Sequence, residues 1–489
     1  MSFPMNTKLI TLLTALGLSL LPAAKAADFP WDNGRLQPDA TGRFLQFENG
    51  QPFFWLGETG WLLPERLDRS QAEFYLETCR QNGYNVVQVQ TVNGVPAYNA
   101  YHKPSMPDGF DFSSVSERHP FAPDAQGTDS LYGYWDHMDY IIETAASKGI
   151  YIGMVCIWGG LVKGGKMNVD QAVAYGTFLA ERYKDQPNIV WIIGGDIYGD
   201  VKTEVWETLA RTIKSLDANH LMTFHPFGRF LSALWFHQAD WLDFNMFQSG
   251  HRCYGQSMAK KNPEHPDLLP DSTEEDNWRY VQLARAYQPA KPVLDGEPSY
   301  EGIPYGLHDF SLPKWQDYDV RRYAYWSVFA GSCGHTYGNN AIMQMHDGRG
   351  VGAYGCTKSW QEALNDPGFH QMQYLKKLIE AFPYYERRPD SSVIVSKVGE
   401  RYGYLAACRG NDYLLVYDYS AVPFDLDLTK ISGRWKKAWW YSPQDGSLQY
   451  VGRLRSGKKV PFAYEPQGGH DDRVLVVTDA SADYVKTLE

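Results

Sequence analysis

Two acids close apolar runs and invite a chemical reading. "IVWIIGGD" runs from Ile189 into Asp196, and "PVLDGEPSYEG" carries Asp295 and Glu297 at the end of a second run. A pair of carboxyls flanking a small space is what cleavage of a glycosidic bond requires. One must hold a proton for the leaving oxygen. The other must be ionised, to attack the anomeric carbon or to activate water. Taken alone, an aspartate after a strand is a turn former or helix cap, and a glutamate is an ion-pair partner. The two become a site only if the fold brings them face to face. Strand period puts Asp295 and Glu297 on one face, so either could serve. Glu297 is preferred because it lies nearer the strand end and precedes Pro298.

The elements around these acids supply that fold. Eight short apolar runs begin at Phe53, Asn85, Ile150, Ile189, Leu221, Trp241, Pro292 and Gly331. Between them lie segments with apolar residues at three- and four-residue spacing. One is "SQAEFYLETCRQNG", with Ser70 as the expected N-cap and Gly83 as the C′ residue. Strand and helix alternating eight times predict an α/β fold, a (β/α)8 barrel. A doubly wound sheet would carry a glycine-rich phosphate loop after its first strand, and none is present. In a closed barrel, strands four and seven face each other across the mouth, which places Asp196 opposite Glu297. From about Ser391 the chain reads as short strands separated by polar turns, an antiparallel β-sandwich of roughly one hundred residues. The expected organisation is a signal peptide over 1–26, a catalytic barrel over 27–385 and a C-terminal β-sandwich over 386–489.

Barrel sites lie at the C-terminal ends of the strands, so the polar and aromatic residues there are the candidates for sugar contact. They are Glu58, Trp61, Gln90, Trp158, His225, Asn245, Gln248, His251, Tyr300, His335 and Tyr337. Gly194 and Gly195 are expected to let a sugar approach the mouth closely. Burial against apolar neighbours would keep Asp196 protonated.

Composition narrows the function classes. The 489 residues are 44% hydrophobic, 21% charged and 15% aromatic, with 16 Trp and 33 Tyr, as suits a folded protein whose aromatics serve a core or a sugar-binding cleft. A formal charge of −11 without a basic stripe argues against a nucleic-acid partner. An anionic polysaccharide would need local basic groups. "LITLLTALGLSLLP" followed by "AAKA" reads as a cleavable export signal ending near Ala26, hence a periplasmic or extracellular protein with no membrane span. Six cysteines without C-x-x-C pairs, and no His/Glu cluster at zinc spacing, predict no metal and no cofactor.

The longer motifs carry a family resemblance. "GQPFFWLGETGW", "RYKDQPNIVWIIGGD", "WLDFNMFQSGH", "KPVLDGEPSYEG" and "DVRRYAYWSVFAGSCGHTYGNN" occur in order and resemble the apiosidase-like glycoside hydrolases of family 140. "KKAWWYSPQDG" resembles the small β domain that follows this barrel. The resemblance implies hydrolysis of apiosyl linkages in the pectin rhamnogalacturonan II, and hence a plant cell-wall polysaccharide or oligosaccharide as partner. It also implies that Asp196 is the acid/base and Glu297 the nucleophile. The wider group of such barrels retains anomeric configuration. It usually carries Asn-Glu at strand four, where this chain has Gly195-Asp196. The family's common "GDTAW" is "GETGW" here, so Glu58 is one methylene longer. The readings that remain open are another furanosidase or exo-glycosidase, and a non-catalytic glycan- or collagen-binding protein.

Overall fold

The computed structural model describes residues 29–106, 112, 132–257, 264–265, 267–270 and 272–488. The expected signal peptide lies outside these. Each of the eight apolar runs contains one parallel strand. These are β1 (Trp55–Thr59), β2 (Val86–Gln90), β3 (Tyr151–Val155) and β4 (Ile189–Ile197), then β5 (Met222–Pro226), β6 (Asn245–Phe247), β7 (Val293–Asp295) and β8 (Gly334–Tyr337). They pair in the order β5-β4-β3-β2-β1-β8-β7-β6. The seam between β5 and β6 is spanned by the Asp243 N–H on the Met222 carbonyl at 2.9 Å and by the Thr223 hydroxyl on the Phe244 carbonyl at 2.7 Å. The result is a nearly closed (β/α)8 barrel.

Alternation along each strand sorts side chains into two cores. Trp55, Val86, Tyr151, Val155, Ile192 and Met246 fill the barrel interior. Leu56, Val87, Met154, Ile193, Phe224 and Tyr337 point outward and pack under the helices. The helix Arg69–Gln81 is capped by Asp68, not by Ser70: the Asp68 carboxylate accepts from the Gln71 N–H at 2.8 Å, and the Gln71 side chain returns to the Asp68 N–H. This reciprocal pair satisfies two orphan donors; Ser70 instead donates to Asp68. Gly83 follows the helix with φ 79°, as a C′ glycine should.

The C-terminal strands are β9 (Arg388–Pro389), β10 (Ala406–Arg409), β11 (Tyr413–Asp418) and β12 (Phe424–Leu426), then β13 (Trp435–Tyr441), β14 (Leu448–Arg455), β15 (Val460–Phe462) and β16 (Arg473–Asp479). Six form an antiparallel sheet in the order β9-β10-β11-β16-β13-β14, and β12 pairs with β15. Phe424, Leu426 and Phe462 of the small sheet pack on Leu414, Val416, Trp440 and Leu475 of the large one. The opposite face of the large sheet shares a core with barrel helices Asp317–Phe329 and Pro367–Glu380. Buried Arg321 reaches from the first of these helices to Asp472 at 2.6 Å, and Tyr417 donates to the same carboxylate. All six cysteines are free thiols. Among the described residues no helix is long and apolar enough to cross a membrane.

Candidate active site

A cavity of about 780 Å³ opens at the C-terminal mouth of the barrel. Asp196, Glu297, Trp61, Gln90, Trp158, Gln248, His251 and Tyr300 all line it. Asp196 reaches the cavity through an irregularity in β4. The β4–β5 register runs from Gly194 opposite His225 directly to Ile197 opposite Pro226, so two residues bulge out. Gly194, Gly195 and Asp196 take φ of 91°, 108° and 46°. That conformation suits glycine, and aspartate tolerates it better than most residues. A bulge of this kind re-aims the side chain at the strand end. The glycines do not make room for a sugar, as the sequence suggested. A Cβ on Gly195 would lie 2.6 Å from the Trp158 ring, and one on Gly194 would lie 2.6 Å from the His225 carbonyl oxygen. They seat the bulge and the tryptophan instead. Gly195→Ala is therefore expected to cost about 1–3 kcal/mol of stability, measurable by urea unfolding, and to lower activity by displacing Trp158.

Glu297 leaves β7 differently from Asp295. The strand ends at Asp295, and the two acids diverge. Asp295 turns away from the cavity to accept from the Ser249 hydroxyl at 2.7 Å and the Asn277 amide at 3.0 Å. Glu297 points into the cavity between two histidines. Its Oε1 accepts from His251 Nε2 at 3.0 Å, and its Oε2 lies 3.1 Å from His225 Nε2. Two of the three histidines singled out as sugar contacts thus serve a carboxylate: His225 sits beneath the cavity, and His251 both lines it and holds Glu297.

The charges are pushed apart. Burial, and then the neighbouring Glu297 charge, raise the Asp196 carboxyl well above the usual carboxylate range. Burial alone would raise Glu297 too, but hydrogen bonds and positive charge from His225 and His251 more than reverse it, and the group ends below that range. Glu297 in turn raises His225 despite its burial. A charged His225 can donate from Nε2 to Glu297 and from Nδ1 to the Pro226 carbonyl oxygen, 3.1 Å away. One carboxyl is kept protonated and one ionised within the same small space. One donor atom each of Asp196, His225 and Glu297 lie within 4.8 Å of one another, the one such cluster among the described residues. Only with Asp196 and His225 deprotonated would those three groups suit a divalent cation, a cluster which their positions in the sequence did not reveal.

Around this pair, Gln90 Oε1, Gln248 Oε1 and His251 Nδ1 are buried without protein partners, as groups awaiting a polyol would be. The rings of Trp61 and Trp158 stand 5.6 Å apart in a T arrangement.

Four candidates are not at the cavity, and strand parity is the reason. Glu58 lies on the outward face of β1 and accepts from Tyr75 of the covering helix. Asn245 turns outward from β6 to His237. His335 turns toward Ser327 of helix Asp317–Phe329, and Tyr337 donates to Glu301 at 2.7 Å. Several cavity residues escape the sequence reading because they sit on loops without strand period, two arginines among them. Arg229, only 2% exposed, donates to the Glu274 carbonyl at 2.6 Å and lies 3.4 Å from Asp267. Arg252 follows His251 directly; burial and then the Arg229 charge lower it from the ordinary guanidinium value.

Residues 39–386 match the family described as "Apiosidase-like, catalytic domain". The chain belongs to this family. Residues 388–478 match a second description, "Putative collagen-binding domain of a collagenase". Among solved structures, a "Glycoside hydrolase" is 58% identical, with 94% of this chain and 99% of that one covered at a TM-score of 0.86. A structure titled as a glycoside hydrolase family 5 protein from Bacteroides vulgatus is 55% identical, covering 94% and 96% at a TM-score of 0.87. No curated protein matches. The apiosidase-like chain is a glycoside hydrolase.

In this apiosidase-like enzyme the C-terminal domain touches the cavity wall. The segment 251–257 supplies His251, Arg252 and Gln256 to the cavity. Its Tyr254 N–H donates to Glu275 at 2.9 Å, and Tyr402 of the C-terminal domain donates to the same oxygen at 2.8 Å. Arg401 lies 4.9 Å above the Tyr254 ring. Tyr402→Ala is expected to raise KM several-fold with a smaller fall in kcat, because the loop loosens while Asp196 stays in place. Steady-state kinetics check this.

Proposed function

We propose that the enzyme is exported and hydrolyses apiosyl linkages in rhamnogalacturonan II side chains, with retention of configuration. The observation that carries the mechanism is the spacing of the acids. The nearest donor atoms of Asp196 and Glu297 lie within 4.8 Å, which suits a retaining pair at ~5–5.5 Å and leaves no room for the water that inverting enzymes place across ~6.5–9.5 Å. Glu297 attacks the anomeric carbon as the bond to the leaving oxygen breaks. Asp196 gives its proton to that oxygen. Asp196, now ionised, takes a proton from water, which attacks the anomeric carbon and releases Glu297. Arg229 and Arg252 in the cavity wall support an acidic aglycone, such as the galacturonate that carries apiose in this pectin.

The same assignment predicts a bell-shaped pH profile. Glu297 must be ionised, so activity falls as pH drops through its depressed pKa. Asp196 must be protonated, so activity falls as pH rises through its elevated one. The acid limb of kcat/KM is expected below the ordinary carboxylate range and the alkaline limb well above it. Removing a donor to Glu297 by His251→Ala moves the acid limb upward.

Incubation with rhamnogalacturonan II side-chain oligosaccharides tests the substrate. Release of chains with apiose at the new reducing end is expected. Release of a different reducing sugar, with apiosyl bonds intact, would assign another furanosidase or exo-glycosidase activity.

A further inference from the structure

The acidic chain carries a basic segment that the active site does not use. Residues 430–459 hold eight Lys or Arg and one acid, Asp445, in a protein of net charge −11. This segment spans β13 and the edge strand β14. In the register of these two strands, Trp435 faces Arg455, Lys437 faces Arg453, and Trp439 faces Tyr450. Directly paired residues share a face of the sheet, so these six side chains form one strip of interleaved rings and cations.

The strip is open. Trp435 is 39% exposed and Tyr450 56%, and Trp439 is half-buried, with one side packed against the core shared with the barrel. The other end of the same face is covered, where Tyr441 donates to the Tyr374 carbonyl under helix Pro367–Glu380. Arg453 lies 4.7 Å above the Trp435 ring, and the Trp439 and Tyr450 rings stand 5.5 Å apart. Among the described residues no carboxylate comes within ion-pair distance of Lys437, Arg453 or Arg455. Lys436 is turned to the other face, where it donates to the carbonyls of Ile431, Ser432 and Gly433.

Charges on an edge strand commonly guard against sheet-to-sheet pairing. That role explains the cations of β14. It does not explain three aromatic rings on the same face, which guarding would avoid. Trp435 and Trp439 are four residues apart, about 13 Å along an extended strand. Two flat apolar faces at that spacing suit separate sugars of one chain, and the cations between them meet carboxylates.

We propose that this strip is a second, non-catalytic glycan site that binds a polyuronate chain. The occupant follows from charge complementarity: a neutral glycan would leave the three cations unused. The proposal rests on the enzyme acting on glycans and not on which linkage it cleaves. It is tested with the full-length enzyme and polygalacturonate, by affinity electrophoresis and calorimetry at low and high salt, with neutral galactomannan, dextran sulfate and soluble collagen as comparison probes. Saturable binding to polygalacturonate is expected, weakened by salt. A loss of about tenfold or more is expected in both Trp435→Ala/Tyr450→Ala and Arg453→Gln/Arg455→Gln, with unchanged thermal midpoint and unchanged kcat/KM on a small soluble substrate. The proposal is overturned if polygalacturonate does not bind, or if either double variant binds as the parent does. It is equally overturned if dextran sulfate, galactomannan or collagen binds as tightly. None of those results touches the assignment of Asp196 and Glu297, which is read from turnover.

Discussion

Glu297→Gln is expected to lower kcat by on the order of 10⁴–10⁶-fold, the scale seen when a nucleophile is removed from an enzyme that relies on it. The substitution keeps the shape of the side chain and one acceptor oxygen for His251. It removes only the charge that attacks carbon. Folding should not suffer, because Glu297 is a buried anion whose burial is unfavourable and is offset by two histidines. The thermal midpoint is expected to hold or rise, as is common when a destabilising active-site group is neutralised. His225 would then lose the partner that raises it and titrate lower. Activity within tenfold of the parent, with normal folding, would remove Glu297 from the reaction.

Asp196→Asn is expected to cost on the order of 10²–10⁴-fold, the usual contribution of a general acid/base. The size of the loss should depend on the leaving group. A sugar or uronate leaving group needs the proton and shows the full effect. An aryloxide leaves without it, so formation of the glycosyl-enzyme stays fast while its hydrolysis, which needs a base, slows. An added small anion such as azide should restore turnover with aryl substrates, since it attacks without a base. The alkaline limb of the pH profile should disappear in this variant, because the group that titrates there is gone. Equal losses on both kinds of substrate would argue that Asp196 only shapes the bulge.

The barrel is legible in the sequence because eight apolar runs and intervening helical patterns are long-range regularities that tolerate local error. The acid pair is legible for the same reason: strands four and seven stand three places apart around the ring, so acids at their ends look into one mouth. What escapes is local. Glu58, Asn245, His335 and Tyr337 share the strand ends of the site but the wrong parity, as their outward neighbours Leu56, Phe247 and helix-facing contacts show. Applying the two-residue period to each strand separates them from Gln90, His225 and Gln248. Asp295 reads as an equal of Glu297 because the end of β7 at that residue cannot be told from a run of polar letters. Gly194 and Gly195 look like open space, whereas a bulge fills with its neighbours. Arg229, Arg252 and the brace from Tyr402 depend on loops and on packing between domains, where no periodicity exists to read.

The central claim, that Glu297 and Asp196 act as a retaining pair on apiosyl bonds, is tested most directly by mapping the covalent intermediate. Asp196→Asn enzyme is mixed with an aryl apioside, quenched in acid, digested and analysed by mass spectrometry. The account predicts one apiosyl unit per chain, carried as an ester on the peptide that contains Glu297. An adduct on another residue, or turnover of the apioside with inverted product and no adduct, would contradict it.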